Sequence, residues 1–143
     1  MPLLNYTTKV PVTRSVEAIQ KVLVKHGASS IMQDFDDHQQ LLAISFKLKL
    51  NGQELAFRLP IDWRSTFEVM KQDGTPRALL NEDHARRVSW RIIKDWVEVQ
   101  LAIAETKMVT IPQVFLPYAV NQDGKTLYQI VAENPTLLLG GGE

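Results

Sequence analysis

The sequence predicts an α+β fold: a four-stranded mixed sheet with a central Asn-Gly hairpin, one face covered by helices, followed by a C-terminal helical half. Three observations predict it. Leu42, Ile44, Phe46, Leu48 and Leu50 alternate with Ala43, Ser45, Lys47 and Lys49 and run into Asn51-Gly52, a dipeptide suited to a two-residue type I′ turn. A strand-helix-strand pattern precedes this hairpin and implies a right-handed crossover within a shared sheet. From Asn81 onward, apolar residues recur at helical spacing to about Met108.

The elements follow in order. Residues 5–12, NYTTKVPV, alternate, with Tyr6, Thr8, Val10 and Val12 on one side; this reads as a strand, and Pro11 places it at a sheet edge or strand end. Ser15 offers an N-cap to a helix over 16–26, on which Val16, Ile19, Leu23 and His26 share a face and which stops at Gly27. A second strand covers 29–35. In the hairpin, a turn at 51–52 pairs Leu50 with Gln53, Lys49 with Glu54, Leu48 with Leu55, Phe46 with Phe57 and Ile44 with Leu59. Apolar then meets apolar, and a one-residue slip would destroy the agreement.

Ser65-Thr-Phe-Glu68 has the form of a capping box, so a short helix is expected from Thr66 to about Gln72. Asn81 caps the long helix, with Glu82 and Asp83 set favourably against its dipole. Its expected buried stripe is Ala85, Ser89, Ile92, Trp96, Val99 and Ile103, widened by Val88 and Ile93. Thr110-Ile-Pro-Gln113 and Thr126-Leu-Tyr-Gln129 are two more capping boxes; the first helix is disrupted at Pro117 and the second ends near Glu133. Residues 1–134 read as a single α+β domain, with a strand-helix-strand-hairpin half over 1–64 and a helical half over 65–134. Residues 135–143 read as a flexible tail.

The 143 residues are enough for one domain with a real core. Sixteen basic and sixteen acidic residues cancel, which counts against capture of duplex DNA by overall charge. With no cysteine, disulfides, thiolate catalysis and cysteine-based metal sites are excluded. Neither a signal peptide nor a membrane span is expected, so the chain reads as cytoplasmic and not membrane-bound. No cofactor motif is present: the sequence lacks H-E-x-x-H, G-x-S-x-G, a phosphate loop and a dinucleotide fingerprint.

The first candidate site is a basic-aromatic cluster on the long helix. Arg86, Arg87, Trp90, Arg91 and Lys94 combine guanidinium and ammonium groups with an indole, which together can hold a phosphate and stack a base. The competing reading is a solvated helix side with Arg91–Asp95 and Lys94–Glu98 pairs, both in the weaker basic-first order. Arg58, beside Lys47 and Lys49 on the wet face of the sheet, and Trp63 in FRLPIDWR form a further candidate. The acidic turn Asp34, Asp36, Asp37 and His38 carries metal-ligand types but lacks the spacing of a calcium loop, and no metal site is assigned to it. Asp83, His84 and Glu98 could supply an acid–base pair, although no motif selects them. Leu116, Pro117, Tyr118 and Leu137–Leu139 offer apolar groups for a partner or for a homo-oligomer through the C-terminal helices.

Several segments in order, YTTKVPV, IQKVLVKHGAS, FRLP, RRVSWRIIKDWVEVQLA, FLPYAV and GKTLY, carry a resemblance that covers nearly the whole chain. The chain resembles a family of small hypothetical proteins encoded by bacteriophages and integrated mobile elements, and departs from it at its LLLGGGE end. The resemblance brings no catalytic or binding residue. It implies a setting, that of a phage accessory protein in the cytoplasm of a bacterial host, where such proteins act on nucleic acid or block host defences.

Taken together, the sequence favours a non-enzymatic protein that binds a nucleic acid or small nucleotide through Arg86, Arg87, Trp90, Arg91, Lys94 and Arg58. The alternative is an anti-defence inhibitor that contacts a host protein through an apolar patch at the C-terminal helices. An enzyme of unidentified class is the third reading.

Overall fold

Strand alternation and the Asn-Gly turn dominate the first half of the fold. In the computed structural model, which describes residues 2–139, β1 (Ser30–Phe35), β2 (Leu41–Leu50) and β3 (Gln53–Pro60) form an antiparallel sheet in the order β1-β2-β3. β2 and β3 pair as Leu50↔Gln53, Lys49↔Glu54, Leu48↔Leu55, Phe46↔Phe57 and Ile44↔Leu59. Asn51 and Gly52 turn the chain at φ 53° and 82°, the left-handed pair a type I′ turn requires. Gly52→Ala is therefore expected to cost about 1 kcal/mol, because a Cβ disfavours that backbone conformation. A urea unfolding midpoint measures it, and an unchanged midpoint would show that the turn bears no such constraint.

The fourth strand is corrected. Among the described residues the sheet has three strands, all antiparallel, so it is not mixed and contains no crossover. Residues 5–12 form no strand: the chain turns through residue 7, and Val12 already opens a helix. Asn5 sits at φ 64°, and the Tyr6 and Thr8 amides donate back to the Leu3 and Asn5 carbonyls. Tertiary bonds outweigh the short alternation: Asn5 Nδ2 donates to Asp95 Oδ2 at 2.8 Å, and the Tyr6 carbonyl lies 2.6 Å from His84 Nε2.

Among the described residues there are five α-helices. α1 (Val12–Lys25) begins four residues before the expected start, with Pro11 at its N-cap. Ser15 is consequently an interior, buried helix residue and not a cap. α2 (Trp63–Gln72) is capped by Asp62, not Ser65. α3 (Glu82–Glu105) is capped by Asn81, whose side chain accepts from the His84 amide. α4 (Ile111–Phe115) and α5 (Leu127–Glu133) each begin with a complete capping box, from Thr110 and Thr126. Short 3₁₀ turns follow at Arg77–Leu79, Leu116–Tyr118 and Pro135–Leu138. No described helix is long and apolar enough to cross a membrane.

The chain divides into two compact units, each discontinuous in sequence. One joins the N-terminal segment through His26 to Ile61–Thr106, and here α3 packs against α1 and α2. The His26 ring bridges the Val22 carbonyl at 2.8 Å and Glu105 Oε2 at 2.6 Å, tying the end of α1 to the end of α3. The other joins Gly27–Pro60 to the residues from Lys107 onward. Its core holds Phe46 stacked on Phe57 at 5.4 Å, with Phe115 of α4 edge-on to both. Phe57 bridges Ala119, and the Val120 amide donates to the Ala56 carbonyl, so the C-terminal segment is bonded to β3.

Candidate functional site

The cluster expected on α3 is dismantled by its own partners. Trp90 is fully buried and offers no ring face to a ligand. This is a correction of the sequence reading, which put Trp96 in the core and Trp90 on the flank. Trp96 is half-buried, and the buried residues of the second half of α3 are Val97 and Leu101. Val97 follows Trp96 by one position, about 100° around the helix. In the first half of α3, His84, Ala85, Arg86, Val88, Ser89 and Trp90 are all buried, an arc far wider than one stripe.

The cations are largely committed. Arg86 is buried and donates through Nε and Nη2 to Glu82 Oε2, both at 2.9 Å. Lys94 sits 2.8 Å from Glu98 and 3.6 Å from Asp95. Arg87 Nη2 lies 3.2 Å from His84 Nδ1. A guanidinium can only donate and the Tyr6 carbonyl can only accept, so these two contacts give His84 the neutral tautomer with its proton on Nε2. His84 is thus a structural residue joining the N-terminal segment to α3. Arg91 is half-buried on the same helix. Arg58 belongs to the other unit and spans the sheet to Asp34, Nη1 to Oδ2 at 2.7 Å. Of the six expected site residues, five lie on α3, where Arg86 and Trp90 are buried, and Arg58 belongs to the other unit.

The acidic turn is likewise explained by backbone chemistry. Asp36 Oδ1 accepts from the His38 and Gln40 amides at 2.8 and 2.9 Å, and Asp34 holds Arg58. No group of three or more metal-ligating side chains occurs among the described residues.

Each unit has a concave surface among its described residues. In the first unit, Trp63, Arg64, Phe67 and Glu68 of α2 face Leu80, Asn81 and Glu82 across a groove of about 490 Å³. The guanidinium carbons of Arg64 and Arg86 lie 4.9 and 5.5 Å from the centre of the Trp63 ring. Asp62 caps the helix that carries this face: Oδ1 accepts from the Arg64 and Ser65 amides and Oδ2 from the Ser65 hydroxyl. The Ser65 hydroxyl first, and then the Ser65 amide, hold the Asp62 carboxyl below its ordinary value of 3.8. A depressed carboxyl contributes stability that is complete above the unfolded value and is lost as pH falls through the folded one. Asp62→Ala removes the N-cap of α2 and is expected to cost about 1 kcal/mol or less near neutrality, because the site is exposed and screened by solvent. The difference from the parent should shrink between about pH 4 and about pH 2 in melting curves. A difference independent of pH would show that the carboxylate is not the cap.

In the second unit, Pro60, Pro117, Tyr118, Thr126, Tyr128 and Gln129 line a groove of about 420 Å³ with no charged side chain. Exposed apolar residues cluster on the same packed elements. Leu116 is 44% exposed, Tyr128 66%, Leu137 57%, Leu138 74% and Leu139 75%; α5 packs on both the 116–118 turn and the 135–138 turn. The sequence offered Leu116, Pro117, Tyr118 and Leu137–Leu139 as apolar groups for a partner; of these, Pro117 and Tyr118 line the groove and the four leucines are exposed. Pro60 and Tyr128 were not legible there, because the groove forms only when the end of β3 meets the start of α5. Comparison of the chain with family models, with curated proteins and with solved structures gives no match.

Proposed function

We propose that this chain is a non-enzymatic accessory protein that acts by contact with a host protein, in the bacterial cytoplasm that the resemblance implies. Its docking surface is the neutral groove and leucine strip of the second unit. The observation that carries the reading is the exposure of Leu116, Tyr128 and Leu137–Leu139 on elements packed together. Monomeric proteins rarely leave contiguous apolar surface open without a use for it, and tyrosine is among the residues that anchor interfaces. The α3 cations favour it too, in a negative sense, because Arg86 and Lys94 already hold carboxylates and Trp90 is sealed.

The experiment compares capture from bacterial lysate by three tagged proteins of equal thermal stability. The parent and Arg87→Ala plus Arg91→Ala should retain the same partner. Tyr128→Asp plus Leu138→Asp should lose it, since a charge within a desolvated apolar contact is costly. Loss in the arginine variant with retention in the aspartate variant would overturn the reading. So would a partner held equally by all three. Light scattering of the purified parent reports whether the partner is a second copy of this chain instead.

A further inference from the structure

We propose that the groove at the start of α2 binds a mononucleotide, with the base against the Trp63–Arg64 pair, the phosphate on Arg64 and an exocyclic base amine on Glu68. The site lies in the first unit and does not depend on the docking surface of the second. Its volume, about 490 Å³, falls within the range of small-molecule sites.

Each wall has a chemical reason. Trp63 lines this groove, whereas Trp90 is fully buried. Its ring is fixed before any ligand arrives. Arg86, buried and tied to Glu82, lies 5.5 Å from the ring centre, and Phe67 stands edge-on at 6.3 Å and 82°. Such a pre-ordered ring loses little freedom on binding. Arg64, exposed, rests 4.9 Å from the same ring and presents a planar fork that both stacks on a base and grips a phosphate.

Glu68 stands one helical turn after Arg64, in the basic-first order that pairs weakly. Among the described residues, neither is in an ion pair within 4.0 Å; Arg64 rests on the Trp63 ring and feels the Asp62 carboxylate two residues back, and both Arg64 and Glu68 line the groove. A carboxylate accepts from the amino group of cytosine, adenine or guanine and opposes the carbonyl edge of uracil. A cationic guest is disfavoured, since two guanidiniums already attend the ring. A long polynucleotide is disfavoured as well, because Glu68 and Glu82 flank the groove and the chain has no net charge to track a phosphate backbone. What remains is a short ligand with one flat heterocycle, one amine and one anion.

The test follows the three indole N–H resonances of the full chain by NMR during titration with CMP, UMP, AMP and GMP, with Trp63 assigned through Trp63→Phe. A saturable shift of the Trp63 resonance is expected, with Trp90 unmoved and CMP binding about tenfold tighter than UMP. Glu68→Gln should abolish the CMP–UMP difference. Arg64→Ala should weaken every nucleotide about tenfold and the corresponding nucleosides by a smaller factor, since a nucleoside loses only the stacking contact. The proposal is overturned if no nucleotide produces a saturable Trp63 shift at millimolar concentration, or if Arg64→Ala and Glu68→Gln both bind as the parent does.

Discussion

Replacing Trp90 by alanine is expected to destabilise the first unit by about 3–5 kcal/mol, because the largest fully buried side chain of α3 would leave a cavity among well-packed neighbours. Typical domains hold only about 5–15 kcal/mol in total, so much of the folded population would be at risk at physiological temperature. The urea midpoint should fall steeply. Arg91→Ala, on the same helix but half-buried, should move it by well under about 1 kcal/mol. Had Trp90 been a surface platform for bases, the two substitutions would have had similar small effects on stability. Equal midpoints for both would contradict the burial on which the revised account of α3 rests.

Phe57→Ala is expected to be as severe for the second unit, again about 3–5 kcal/mol. The ring is fully buried and stacks on Phe46 at 5.4 Å with an interplanar angle of 17°. It also meets Phe115 at 6.4 Å, and such aromatic pairs contribute beyond their buried area. The same residue is the bridge partner of Ala119, so its loss loosens the attachment of the C-terminal segment to β3. Hydrogen exchange should report this directly. Protection of the Val120 and Leu127 amides, which donate to the Ala56 and Ala119 carbonyls, should drop together in the variant. If those amides stay protected while the hairpin melts, the segment is held by something other than the phenylalanine cluster.

Local chemistry was readable where it acts over a few residues. The alternation from Leu41 to Pro60 dictates which residues oppose each other, because side chains in a strand change face at every step. Asn81, Thr110 and Thr126 were readable as caps because each supplies an oxygen to an amide within the next turn. The sequence reading took Ser65 as the cap of α2; Asp62, one turn earlier, is the cap and binds both the backbone and the serine hydroxyl. The N-terminal segment shows the limit of a short alternating run. Its polar groups found Asp95 and His84, far along the chain, before any neighbouring strand.

Sidedness of α3 was the larger loss. A 3.6-residue period identifies a helix but not how many neighbours surround it, and the first half of α3 is buried over a broad arc. That is why Trp90 read as a flank residue. The sites had the same difficulty. Trp63 was visible as an aromatic beside an arginine, yet the arginine that fixes its inner side is Arg86, on another helix. Leu137–Leu139 were visible as an apolar run, while the packing of α5 on the 135–138 turn was not.

The central claim is that the second unit, and not the α3 cations, carries the partner. Site-specific photocrosslinking tests it most directly, with a photoreactive residue placed in turn at Tyr128, Leu138, Arg87 and Arg91 and the protein exposed to bacterial lysate. All four positions are at least partly exposed, so the label itself should not unfold the chain. The account predicts the same discrete adduct from positions 128 and 138 and none from 87 or 91. Adducts from 87 and 91 with none from 128 and 138 would contradict it, and would return the working surface to α3.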